Sequence, residues 1–139
     1  MNLINFLPFT RRGLAIDLGT ANTLVYARGQ GVILEEPSVV AMTVENGVSR
    51  VLAVGADAKL MMGKTPANLR TVRPLRGGVI ADFDVAEQMM KHFISKAQGA
   101  GWRLPSALEV VICVPSSSTS VERRAIRDAA SNAAPVSFG

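Results

Sequence analysis

The spacing of apolar and polar residues changes several times along this chain, and each change marks an element. Short apolar or alternating runs at 14–18, 23–27, 32–35, 39–44, 51–54 and 110–114 predict strands. The first two are separated only by Gly19-Thr20-Ala21-Asn22, which reads as strand, tight turn, strand. Gly29-Gln30-Gly31 marks a second turn, Glu36-Pro37-Ser38 breaks the chain before the strand at Val39, and Asn46-Gly47 is a strong hairpin signal. Residues 56–62 read as a short helical stretch ending at Gly63, and 70–80 as mixed, with loops at Pro74 and Gly77-Gly78. From there the period becomes 3.6. Asp82 or Asp84 caps a helix running to about Gln98, with Val85, Met89, Phe93 and Ile94 on one face and Gly99-Ala100-Gly101 at its end. The nearly all-apolar run 110–114 is the pattern of a strand buried on both faces. Thr119-x-x-Glu122 is a capping box, and it opens a last helix with Val121, Ala125, Ile126, Ala129 and Ala133 inward. A β-meander, a small irregular insert and then helix–strand–helix predict an α/β fold, a sheet with helices on its faces.

Bulk properties narrow the function. The chain has 139 residues, enough for one core. Hydrophobic content of 48% against 19% charged, with a mean hydropathy of +0.25, is apolar for a soluble domain and predicts surface meant for burial against something else. No apolar run reaches the roughly 18 residues of a membrane-spanning helix. The net charge of +4 comes from scattered residues and the pairs Arg11-Arg12 and Arg123-Arg124; with one Trp and one Tyr there is no basic–aromatic platform, which argues against nucleic acid as a partner. Cys113 is the single cysteine and lies in an apolar run, so a buried thiol in a reducing cytosol is expected. The apolar start, with Leu3, Ile4, Phe6, Leu7 and Phe9 ahead of Arg11-Arg12, is a poor signal peptide, because no positive side chain precedes it and no small-residue cleavage site follows. It reads either as a segment lying in a bilayer interface, the arginines on lipid phosphates, or as an unstructured tail. Pro8 limits any helix there to a turn or two.

The most specific chemistry lies in Ile16-Asp17-Leu18-Gly19-Thr20-Ala21-Asn22-Thr23. A glycine at a strand-to-strand turn allows φ > 0 and close approach of a ligand to the backbone. Thr20, Ala21 and Asn22 are placed to offer successive backbone N–H groups to an anion. Asp17, at the strand end, suits a hydrated Mg²⁺, which prefers carboxylate oxygen and keeps several waters. On pattern alone an ordinary hairpin turn remains the alternative. The chain contains neither a Gly-x-x-x-x-Gly-Lys-Ser/Thr loop nor a Gly-x-Gly-x-x-Gly between strand and helix. His92 has no second His or Cys nearby and reads as a solvated or half-buried helix residue; Met61-Met62 and Met89-Met90 read as packing residues. Ser116-Ser117-Ser118 lacks the surroundings of a nucleophile and reads as a helix-entry loop.

Several stretches, in order along the chain, resemble the MreB family of bacterial actin-like, rod-shape-determining proteins. They are residues 16–26, Glu36-Pro37-Ser38-Val39-Val40-Ala41, Gly63-Lys64-Thr65-Pro66-Ala67-Asn68, Arg73-Pro74-Leu75 with Gly78-Val79-Ile80-Ala81-Asp82, Cys113-Val114-Pro115, and Val121-Glu122-Arg123-Arg124-Ala125-Ile126-Arg127. The first is shared more loosely with Hsp70-like and sugar-kinase folds, so a kinase or chaperone ATPase is the alternative reading. The resemblance implies an actin-like (ribonuclease H-like) first domain, a mixed sheet flanked by helices with a small inserted subdomain. Residues 1–12 would form an N-terminal apolar segment, 13–31 and 72–139 an incomplete large subdomain, and 32–71 the small one.

The same resemblance implies that Asp17, Gly19, Thr20, Ala21 and Asn22 form the first phosphate loop for ATP, with Asp17 reaching Mg²⁺ through water. It implies filaments of the protein itself at the inner face of the cytoplasmic membrane, working with cell-wall elongation proteins. Leu3, Ile4, Phe6, Leu7 and Phe9, together with Trp102 and Leu104 in the 101–105 loop, would be the membrane-contacting residues. The family's second phosphate loop, adenine-binding segments and catalytic glutamate have no counterpart in these residues, and Pro135-Val136-Ser137-Phe138-Gly139 departs from the family's pattern. The expectation is a truncated chain that by itself binds ATP poorly and does not hydrolyse it.

Overall fold

The computed structural model describes residues 13–64, 67–99, 108–114, 116–133 and 136–137. In chain order the elements are β1 (Gly13–Leu18), β2 (Asn22–Ala27), β3 (Gly31–Pro37), β4 (Val40–Glu45), β5 (Val48–Val54), α1 (Ala56–Leu60), β6 (Leu69–Val72), β7 (Leu75–Arg76), β8 (Val79–Ile80), α2 (Phe83–Gly99), β9 (Leu108–Cys113), α3 (Ser120–Ala133) and β10 (Val136–Ser137). A five-stranded mixed sheet runs in the order β10-β9-β1-β2-β3. Its β1–β2 and β2–β3 pairs are antiparallel, and its β1–β9 and β9–β10 pairs are parallel. A three-stranded antiparallel sheet, β5-β4-β6, and the two-stranded β7–β8 hairpin complete it.

Alternation along β1 decides what each face does. Leu14, Ile16 and Leu18 point into the main core with Val25, Ala27 and Val110 from the neighbouring strands. Both long helices cover this face. α2 brings Val85, Met89, Phe93 and Ile94, as its 3.6 spacing predicts, and also Ala86, Met90 and Ala97; α3 brings Ile126 and Ala129. The Asp82 carboxylate accepts the Val85 N–H at 3.1 Å, so Asp82 rather than Asp84 caps α2. The Thr119–Glu122 capping box forms in both directions: Thr119 N–H donates to Glu122 Oε2 at 2.6 Å, and Glu122 N–H donates to Thr119 Oγ1 at 3.2 Å.

Several expectations are corrected. Val121 is 74% exposed and not part of the inward face. At about 100° per residue it lies about 140° round the helix from Ile126, and Ala130 takes the buried place. Strand β9 is not buried on both faces: Val110 is buried, while Val111, Ile112, Cys113 and Val114 are half-buried. Among the described residues both long helices lie on one side of the sheet, so the second face of β9 is uncovered. The thiol of Cys113 is accordingly half-buried rather than buried. The short strands β6 and β7–β8 occupy the stretch read as mixed, because four- and two-residue strands carry too little alternation to show a period. Val136–Ser137 pairs with β9, so the departing tail still supplies a strand.

Strand β3, of which residues 32–37 are grouped by sequence with the inserted unit, hydrogen-bonds along β2 and forms an edge of the larger sheet. The smaller sheet draws on 40–72. Val40, Met42 and Val54 join the main core, while Val39 and Ala41 meet Ala58 of α1, backed by Ala53, Met61 and Leu69. β5 is exposed along most of its length. Leu3, Ile4, Phe6, Leu7, Phe9, Trp102 and Leu104 lie outside the described residues.

Candidate functional site

The β1–β2 turn sits at the end of β1, next to the parallel strand β9. Asp17 is half-buried on the face away from α2 and stands level with Leu24 on one side and Cys113 on the other. Burial, with a smaller contribution from the neighbouring Asp17 carboxylate, pushes the Cys113 thiol above its ordinary value. That thiol is therefore kept neutral beside the carboxylate and is a poor nucleophile.

Gly19 is needed here for a different reason from the one pattern suggests. It does not adopt a positive φ, and neither do Thr20, Ala21 or Asn22. Its N–H donates to the Asn22 carbonyl at 3.1 Å, and a Cβ on Gly19 would fall inside the van der Waals envelope of that same oxygen. The glycine thus supplies space rather than a left-handed conformation, and the turn is not a nest built on alternating φ signs.

Two other segments hold the turn. Ser38, fully buried after β3, donates its N–H to the Ala21 carbonyl at 2.9 Å and its hydroxyl to the Gly19 carbonyl at 2.7 Å. Because the one Ser38 hydroxyl proton is committed to that carbonyl, the buried Thr23 hydroxyl, 2.8 Å from Ser38 Oγ, is the donor in their contact. Gly78, in the β7–β8 turn, donates its N–H to Thr20 Oγ1 at 2.9 Å, which leaves the Thr20 hydroxyl proton available to a ligand. Thr20, Ala21 and Asn22 are exposed, and the N–H groups of Thr20 and Ala21 have no acceptor among the described residues. The result is a rigid, buried underside that carries exposed donors beside a half-buried carboxylate. Such an arrangement suits an anion on the N–H groups and a hydrated cation on Asp17.

The structure therefore brings Asp17, Gly19, Thr20, Ala21 and Asn22 together at one strand end. Ser38, Thr23 and Gly78 were missed as parts of the site. Their roles depend on contacts 15 to 58 residues apart in sequence; all three lie in stretches that the sequence marks, yet nothing in the pattern links those stretches to one another.

Comparison with known proteins places the fold and the family. The chain is 52% identical over 122 residues to the cell shape-determining protein MreB of Escherichia coli K12, covering 86% of this chain and 35% of that protein. It is 51% identical over 119 residues to the cell shape-determining protein Mbl of Bacillus subtilis 168, with 86% and 34% covered. The chain thus spans about a third of the length of the curated relatives it matches. In three dimensions it superimposes on the crystal structure of MreB5 of Spiroplasma citri bound to ADP with a TM-score of 0.75 at 36% identity, over 94% of this chain and 38% of that one. A MamK double helical filament subunit, at 23% identity, shares the fold with a TM-score of 0.71 over 93% of this chain and 40% of its own. These neighbours make the fold actin-like. The family model described as MreB/Mbl protein matches residues 11–136, and with relatives near 50% identity the chain belongs to the MreB/Mbl family.

Proposed function

We propose that the Asp17–Asn22 turn is a phosphate-binding loop for ATP, and that the protein acts in a filament-forming, cell-shape-determining cytoskeleton. The observation that carries this reading is the pair of exposed N–H groups at Thr20 and Ala21, held without protein acceptors above the buried Ser38–Thr23 support. Solved MreB5 structures bound to ADP and to AMPPNP support it, since they share the fold over 94% of this chain. In this reading Thr20, Ala21 and Asn22 hold phosphate oxygens and the Thr20 hydroxyl donates to one of them. Asp17 accepts from water molecules on Mg²⁺, whose charge offsets that of the phosphates. Self-association is supported by the filament neighbour MamK.

Binding of a fluorescent ATP analogue with Mg²⁺, by a full-length member of the MreB/Mbl family and by its variant with alanine at the position that matches Asp17, tests the site. The expected result is about tenfold or greater weakening in the variant, with the fold retained by circular dichroism. Equal binding would remove Asp17 from the site. Contact with the cytoplasmic membrane surface through Leu3, Ile4, Phe6, Leu7, Phe9, Trp102 and Leu104, and work alongside cell-wall elongation proteins, belong to the same proposal. Co-sedimentation with anionic vesicles should fall when Leu3, Phe6 and Leu7 are made polar, and unchanged pelleting would remove the anchor.

A further inference from the structure

Glu36 is a carboxylate in a place that charged residues rarely occupy. It lies on β3, the edge of the larger sheet, and is 7% exposed. Its two oxygens serve different elements. Oε1 accepts the N–H of Ala56, the first residue of α1, at 3.2 Å; Oε2 pairs with Lys96 Nζ of α2 at 2.9 Å. Gly55 crosses directly over the carboxylate: it adopts φ 72°, and a Cβ there would sit 2.7 Å from Oε1. The Gly55 N–H donates to the Val39 carbonyl at 2.8 Å, so the β5–α1 connection is tied to the same spot. One side chain therefore joins the larger sheet, the helix that covers it, and the start of the helix that backs the smaller sheet.

The two partners differ in how easily they leave. The Ala56 N–H is fixed by the backbone, whereas the Lys96 side chain is 45% exposed and ends at solvent. A buried carboxylate with a single N–H partner is poorly compensated, so departure of the ammonium favours rotation of Glu36 toward water and loss of the Ala56 contact as well. A half-exposed ammonium is screened by salt and carries little intrinsic hold.

We propose that Lys96–Glu36–Ala56 is a releasable latch that sets how the smaller sheet and α1 dock on the larger sheet, with Lys96 as its release point. The latch involves none of the phosphate-turn residues and stands without nucleotide.

Amide hydrogen exchange on the 139-residue chain tests it. In Lys96→Met, the amides of 55–60 should exchange about tenfold faster, while those of 85–94 and 23–27 keep the parent's rates. Lys96→Arg should restore protection to within about twofold of the parent. In the parent, 1 M NaCl should speed exchange at 55–60, and in Lys96→Met it should add nothing. Unchanged protection at 55–60 in Lys96→Met, or equal acceleration of all three segments, would overturn the latch. Insensitivity of the parent to salt would overturn its release at Lys96.

Discussion

Two of the glycine-containing hairpin turns in this molecule use that glycine in opposite ways. At the β4–β5 turn Asn46 and Gly47 adopt φ 52° and 76°, and nothing lies within 4 Å of where a Gly47 Cβ would stand. There glycine answers a conformational demand, that of a two-residue turn with both central residues left-handed. At the β1–β2 turn Gly19 has no positive φ, yet a Cβ would strike the Asn22 carbonyl. There glycine answers a demand for space, imposed by a turn folded tightly and braced from below by Ser38. The first turn is exposed and self-sufficient; the second is built into the core and presents donors to solvent. A turn that serves only to reverse the chain needs correct dihedrals, whereas a turn that is to hold a ligand also needs a support that keeps its N–H groups from finding protein partners.

Gly19→Ala and Gly47→Ala test this contrast most strongly. Gly19→Ala is expected to cost about 3 kcal/mol or more, because the clash is with backbone and cannot be relieved by a side-chain rotation. Gly47→Ala is expected to cost only about 1 kcal/mol, the penalty of a left-handed alanine in open space. Urea unfolding of both variants gives the two values, and similar losses would erase the distinction. Next in size is Ser38→Ala, which leaves the Gly19 carbonyl and the buried Thr23 hydroxyl without their partner. A loss of about 2 kcal/mol is expected, together with weaker nucleotide-analogue binding. A variant that is destabilised but binds as well as the parent would separate the support from the loop.

The smallest effect concerns the carboxylate beside the turn. Asp17→Asn removes the negative charge that helps to raise the Cys113 thiol, so the thiol should fall toward its ordinary value while burial, the larger cause, still holds it up. More thiolate at a given pH means faster alkylation in the variant than in the parent. Iodoacetamide kinetics followed by mass spectrometry reads this directly; an unchanged rate would show that the two groups do not sense each other.

Much of the fold is written in short-range signals. Asp82, the Thr119–Glu122 box and Asn46-Gly47 act through neighbours two to four residues away, and each is found where pattern places it. The apolar face of α2 follows from its 3.6 spacing. Pattern misleads where packing has the last word. Val121 is apolar but faces solvent, because the helix phase is set by Ile126, Ala129 and Ala130 against α2. The β9 run looks doubly buried, yet only one of its sheet's faces carries helices among the described residues. Strands β6, β7 and β8 are too short to show a period at all and exist through the partners they pair with.

By itself, then, the sequence determined the order of most strands and helices, their caps, the family, and the place of the Asp17–Asn22 turn at a strand end. These depend on local chemistry and on residue identities that need no partner to be read. Only the tertiary structure decided why Gly19 must be glycine, that Ser38 and Thr23 brace the turn from within the core, that Gly78 engages Thr20, and that Glu36 sits buried between Lys96 and Ala56. Each of these is a contact between residues far apart along the chain, and burial, hydrogen-bond satisfaction and steric fit take their values only once the sheets and helices have met.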